Sequence, residues 1–221
     1  MNFFSPDYQP ALSQAVTEFE KQTSAELVVT VARRSHDYAN VAWIAAAVAT
    51  LAVFSLFMLL EYEFFDNHIY LGTIITFCGV FGLVYALNPL KKLLSLSRTR
   101  QHFCQTAAFA LFAEQGVYKT QKHTGLLVYV SLLEKLVFLV ADKNVEIAFG
   151  EKGLANIRQE FLAIFAEKLP AAALLATITK IAPTFGKALP REANDTDELS
   201  NTIPHFIHGG FGAKTFRVKK S

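Results

Sequence analysis

The sequence predicts a small α/β fold, an α/β/α sandwich with a two-helix transmembrane hairpin inserted into it. Three observations lead there. Residues 41–60 and 69–87 contain no Asp, Glu, Lys or Arg. Short runs rich in β-branched residues stand at 26–32, 125–131 and 135–141, one before those apolar stretches and two after them. Elsewhere apolar residues recur at i, i+3 and i+4, the spacing of amphipathic helices.

The elements follow in order. Residues 8–22 place Ala11, Leu12, Ala15, Val16 and Phe19 on one helical face, with Asp7 positioned to cap it. Glu26-Leu27-Val28-Val29-Thr30-Val31-Ala32 reads as a buried strand by length and composition. The two uncharged runs come next. A helix needs roughly 20 mostly apolar residues to cross a bilayer core, so each run can span. The eight residues between them, Glu61 to His68, make the pair a tight hairpin. Buried core helices and a re-entrant hairpin are the competing readings. The hairpin offers Ala42, Ala45, Ala46 and Ala49 on one run and Gly72, Gly79 and Gly82 on the other as small residues for packing the two helices together. Neither run holds an ionisable residue that would mark an ion path.

Beyond the hairpin, 97–114 reads as a helix stopped by Gly116. Strands at 125–131 and 135–141 are joined through Leu132-Leu133-Glu134, short enough for a β-hairpin. Their nearly continuous apolar character predicts burial on both faces, with helices on each side of the sheet. Residues 153–168 form an amphipathic helix with Leu154, Ile157, Phe161, Ile164 and Phe165 on one face, and Pro170 opens another that runs to about residue 188. The chain thus divides into 1–40, the first part of the domain; 41–87, the hairpin; 88–189, the rest of the domain; and 190–221, a polar and then basic tail.

Charge sets the expected orientation. Glu61, Glu63 and Asp66 lie between the spans, Arg33 and Arg34 before them, and Lys91, Lys92, Arg98 and Arg100 after them. Lys and Arg beside spans favour the cytoplasmic face. The expectation is a multi-pass inner-membrane protein with both termini in the cytoplasm. Residues 1–34 show no signal-peptide pattern, so the first span is expected to act as its own insertion signal. The four basic residues after the second span are expected to contact anionic headgroups, each gaining about 1 kcal/mol. A net charge of +2 excludes an electrostatic nucleic-acid binder. Two cysteines, Cys78 inside a span and Cys104 in a helix, imply no disulfide framework.

Three stretches resemble the TPM domain family. Phe19-Glu20-Lys21-Gln22-Thr23-Ser24-Ala25-Glu26-Leu27-Val28-Val29 is similar to the family's entry into its first strand. Ala108 to Phe112, continuing through Gly116-Val117-Tyr118-Lys119-Thr120, resembles the helix before its second strand. His123 to Glu134, continuing to Ala141-Asp142, resembles its central hairpin. The family includes photosystem II repair proteins, a modulator of acetylcholine receptors and many bacterial membrane proteins. The resemblance implies a TPM-like fold; some plant members are described as acid phosphatases, and calcium binding near acidic residues has been suggested. Here the Gly-rich tail of secreted members is reduced to Gly209–Gly212 and their acidic loops are poorly represented.

Taken on their own chemistry, the residues offer few reactive groups. No Cys-x5-Arg loop and no Gly-x4-Gly-Lys-Ser/Thr loop is present. Asp195-Thr196-Asp197 lies in a polar tail without a preceding strand. Glu26, Glu134 and Asp142 each stand at a strand end; convergent carboxylates there would hold a divalent cation, Ca2+ or Mg2+, or move protons. Caps, turns and salt bridges explain such residues equally well. His205 and His208 have a ligand-like spacing next to glycines, His123 reads as a loop hydrogen-bond donor, and Thr23, Ser24, Thr120 and Thr124 read as capping and turn residues. The favoured function is an accessory, assembly or scaffold factor binding another membrane protein or complex through the cytoplasmic domain. The alternative is a metal-dependent, membrane-bound phosphatase.

Overall fold

The computed structural model of the chain describes residues 2–60 and 65–191. Two compact bodies result, one comprising the residues up to Ser35 and from Gln101 onward, the other His36–Arg100.

The first body is built on a three-stranded mixed sheet of β1 (Glu26–Ala32), β2 (Gly125–Ser131) and β3 (Leu136–Ala141), in that order. β1 runs parallel to β2, Glu26 opposite Gly125 and Ala32 opposite Ser131. β2 and β3 are antiparallel, Leu126 opposite Ala141 and Ser131 opposite Leu136. Side chains alternate across a strand; in β1 and β2 both sets are buried, whereas β3, expected to be buried on both faces, is fully buried only at Val137 and Val140, as an edge strand. Leu27, Val29, Val31, Leu126, Val128, Val130 and Val137 face one core. The helices that cover it are α1 (Tyr8–Glu20), α6 (Lys143–Ala163) and α7 (Pro170–Ala188), which contribute Leu12, Phe19, Phe161, Leu174, Ile178 and Phe185. Val28, Leu127, Tyr129 and Val140 face a second core, closed by Cys104, Ala107, Ala108 and Leu111 of α5 (Ser97–Glu114). The sheet therefore has helices on both faces, as its continuous apolar strands require.

Local chemistry fixes the joints. Gly116, at φ 67°, ends α5 in the left-handed conformation. A Cβ on Gly125 would stand 2.2 Å from the Val117 carbonyl oxygen, so β2 can only enter the sheet there with glycine. Two expectations need correction. Asp7 makes no side-chain capping bond to α1. The helix expected over 153–168 begins ten residues earlier, at Lys143, and is broken at Gly150 (φ 61°, ψ 177°), with 164–166 forming a 3-10 turn. Asp142 caps its start, its Oδ1 accepting from Lys143 N at 2.7 Å.

The second body holds two helices long and apolar enough to cross a membrane, α2 (Ala39–Leu59) and α3 (Asp66–Ala86), which pack on each other. The Trp43 ring lies 4.7 Å from that of Phe81 and 5.7 Å from that of Phe77. Gly72 meets Phe57, where a Cβ would come within 3.0 Å of the ring. Gly79 and Gly82 face open space instead, so of the three glycines Gly72 alone approaches the partner helix. A short helix, α4 (Asn88–Leu94), follows and was not foreseen from the sequence.

Candidate functional site

The two ends of the sheet carry the polar chemistry, and they differ in kind. At the end where β1 and β2 begin, Glu26 is buried and its backbone N–H donates to the Thr124 carbonyl at 3.2 Å. Thr124 Oγ1 donates to the Ser24 carbonyl at 2.7 Å, and Thr120 Oγ1 accepts from Thr124 N at 3.1 Å. His123 takes a left-handed conformation, φ 49°, and sets its Nδ1 3.2 Å from Asp142 Oδ2. Asn144 closes the same corner, its backbone N–H donating to the His123 carbonyl at 3.0 Å and its side-chain amide to the Lys122 carbonyl at 2.6 Å.

The segment that enters β1 is tied down in the same manner. Glu20 Oε1 accepts from Leu27 N at 3.2 Å, while Thr23 Oγ1 donates to the Leu189 carbonyl at 2.7 Å and accepts from Ala25 N at 3.2 Å. Glu20, Thr23 and Thr124 thus act here as backbone ties between α1, β1, β2 and the end of α7.

At the opposite end Glu134 is buried in the β2–β3 turn. Its Oε1 accepts from Ser35 N at 3.0 Å and its Oε2 from Ser131 Oγ. Ser35 Oγ is the hub: it lies 2.9 Å from Ser131 Oγ, accepts from the Tyr129 hydroxyl at 2.9 Å, and sits 3.0 Å from Cys104 Sγ. Burial pushes the Tyr129 phenol well above the usual tyrosine range, and the neighbouring Cys104 and Glu134 add to the rise, against hydrogen bonding with Ser35 and Ser131 that lowers it. Sequence reasoning passed over this cluster. Its signal was present in Ser131 and Glu134, polar residues closing an otherwise apolar strand and turn, but Ser35 and Cys104 lie far away in sequence.

This geometry separates the three carboxylates. Glu26 and Asp142 share one sheet end, on strands flanking β2 and so about 10 Å apart. Glu134 lies at the other end of a seven-residue strand, about 20 Å away. The three carboxylates expected to converge, Glu26, Glu134 and Asp142, are thus not brought together at one point. Among the described residues no group of three or more His, Cys, Asp or Glu side chains is placed to hold a metal ion. Glu61, Glu63, Asp195, Asp197, His205, His208 and the Gly209–Gly212 run lie outside the described residues.

The four basic residues after α3 take different surroundings. Lys91 is buried, with its Nζ 4.9 Å from the centre of the Tyr85 ring. Arg100 turns its guanidinium inward: Nη1 donates to the Lys92 carbonyl at 2.7 Å and to the Ser95 carbonyl, and Nη2 to Ser97 Oγ at 3.0 Å. Lys92 is half-buried and Arg98 exposed. Cys78 is exposed on α3 and Cys104 is buried, and neither is in a disulfide.

A three-stranded mixed sheet with helices on both faces places the first body among small α/β folds. The chain as a whole is similar to the NMR structure of the BA42 protein from the psychrophilic bacterium Bizionia argentinensis, with a TM-score of 0.56 and 17% sequence identity over 92% of this chain and 96% of that one. At that identity the likeness shows the fold alone. No family model matches the chain, and no curated protein matches it.

Proposed function

We propose that the chain is a TPM-like integral membrane protein of the inner membrane. In this reading α2 and α3 span the bilayer, both termini are cytoplasmic, and the α/β domain works as an accessory or assembly factor for another membrane protein or complex. The observation that carries the reading is the exposure of the long helices. Their most apolar stretches are 11% and 6% buried, with Ile44, Val48, Leu51, Leu59, Tyr70 and Ile75 each more than 60% exposed. Core helices would hide such residues, and a water-facing surface rarely carries a contiguous patch of this kind. Lipid is the environment that covers it at no cost in desolvation. The parallel pairing of β1 with β2 supports an even number of crossings, because both strands must emerge on one side. The basic residues on both flanks, against Asp66 at the start of α3, support the cytoplasm as that side.

The binding role draws support from the polar clusters. Asp142 caps a helix and Glu134 holds the Ser35 segment, so both are committed to internal hydrogen bonds. Tagged full-length protein, extracted gently from its native membrane and compared with an untagged control by quantitative mass spectrometry, is expected to bring a near-stoichiometric membrane protein with it. Recovery of the chain alone under several mild detergents would count against the accessory role. A reporter fused in the 61–68 loop is expected to read as external, and a cytoplasmic signal there would overturn the topology.

A further inference from the structure

The segment after α3 has a surface that two crossing helices do not account for. α4 starts one residue beyond α3, after Leu87, and packs back against α2 and α3. Its outer side carries Leu93 and Leu94, and Leu96 follows in the turn; they are 79%, 49% and 74% exposed. Three leucines held outward within four residues are costly in water.

Part of the backbone beneath them is closed from inside. A helix C-terminus leaves carbonyls without intrahelical partners, and in a poorly hydrated layer those groups must be satisfied by the protein itself. Here Arg100 supplies donors to the Lys92 and Ser95 carbonyls, and Ser95 Oγ donates to the Lys91 carbonyl at 2.5 Å. Lys91, the basic residue nearest the end of α3, keeps its ammonium over the Tyr85 ring. Arg98 remains on the exposed side. Exposed leucines, side-chain donors to the Lys91, Lys92 and Ser95 carbonyls and a basic residue beside them form the pattern of a segment lying in the plane of a membrane interface.

We propose that residues 87–98 are an in-plane lipid anchor. Leu93, Leu94 and Leu96 insert at the boundary of headgroups and acyl chains, and Arg98 meets anionic headgroups in the same leaflet. This rests on the reading that α2 and α3 cross the bilayer. It moves the lipid contact from the full set of four basic residues to three leucines and one arginine, and gives Arg100 the task of closing the backbone above the acyl layer.

The chain has one tryptophan, Trp43, which makes the test direct. In a Trp43→Phe background, Leu93→Trp, Leu96→Trp and, as a mid-span reference, Leu51→Trp are reconstituted as full chains. The vesicles contain three parts phosphatidylcholine to one part phosphatidylglycerol, with the choline lipid brominated either near its headgroup end or near its methyl end. Tryptophan at 93 and 96 is expected to lose about half its emission or more to the shallow bromines and less to the deep ones, consistent with a depth of roughly 5–10 Å. Tryptophan at 51 is expected to show the reverse order. Quenching at 51 without quenching at 93 and 96 would overturn the anchor while the spanning helices stand. An unquenched tryptophan at all three positions would overturn the spanning reading and the anchor with it.

Discussion

Tyr8 is fully buried, edge-on to Phe3 at 5.4 Å, and its hydroxyl has no hydrogen-bond partner among the described residues. Burial alone raises its pKa well above the ordinary value of about 10, and Tyr129 is raised in the same direction. A raised phenol contributes stability that is intact below pH 10 and is lost as pH climbs through the folded-state value, because the unfolded chain ionises first. Thermal melts of the detergent-solubilised protein are therefore expected to fall above about pH 10. Tyr8→Phe should blunt that fall, and near neutrality should leave stability unchanged or raise it by about 1 kcal/mol, since an unpaired buried hydroxyl is removed. Glu134 offers the opposite case. Glu134→Ala leaves Ser35 N–H and Ser131 Oγ without their acceptor in a dry site, and should cost about 2–4 kcal/mol. A melt within experimental error of the wild type would show that Glu134 does not hold the Ser35 segment.

Most elements were legible because their patterns are long. β1 and β2 follow from β-branched and apolar runs bounded by turn residues, α5 from its periodicity and Gly116, and α7 from Pro170. What escaped was short or interrupted. Residues 143–149 form barely two turns before Gly150 breaks the helical phase, so periodicity counted across the break cancels. α4 has seven residues and shows two lysines beside leucines, which read as span-flanking charge. Gly125 joins two elements that the sequence presents separately: β2 enters the sheet pressed against the Val117 carbonyl. Gly125→Ala should destabilise by about 3 kcal/mol or more, through a clash that the backbone must move to relieve. A small loss in a denaturation series would mean that the 3-10 turn at 117–119 yields easily.

Strand ends could be located in the sequence, but not which end of the sheet each one occupies. Glu26, Glu134 and Asp142 all flank strands, and the parallel pairing of β1 with β2 decides that only the first and last share one end of the sheet. That pairing depends on a crossover of about 90 residues, within which the hairpin lies, and no local pattern encodes it. The polar cluster around Ser35 is hidden for the same reason: Cys104, Tyr129, Ser131 and Glu134 all come from beyond the two long helices. Under the proposed topology, deleting residues 66–86 should leave β1 and β2 on opposite sides of the bilayer. The expected result is loss of protease resistance in the α/β body, with one terminus becoming accessible from outside. An intact resistant core in that deletion would show that the sheet assembles without two crossings.

The register Glu26 opposite Gly125 also sets a clock. The strands are 125 − 26 = 99 residues apart, and ribosomes add about 5–20 residues per second, so β1 is made roughly 5–20 s before its partner exists. Throughout that interval a seven-residue strand, every one of whose residues is buried in the finished protein, has no sheet to join.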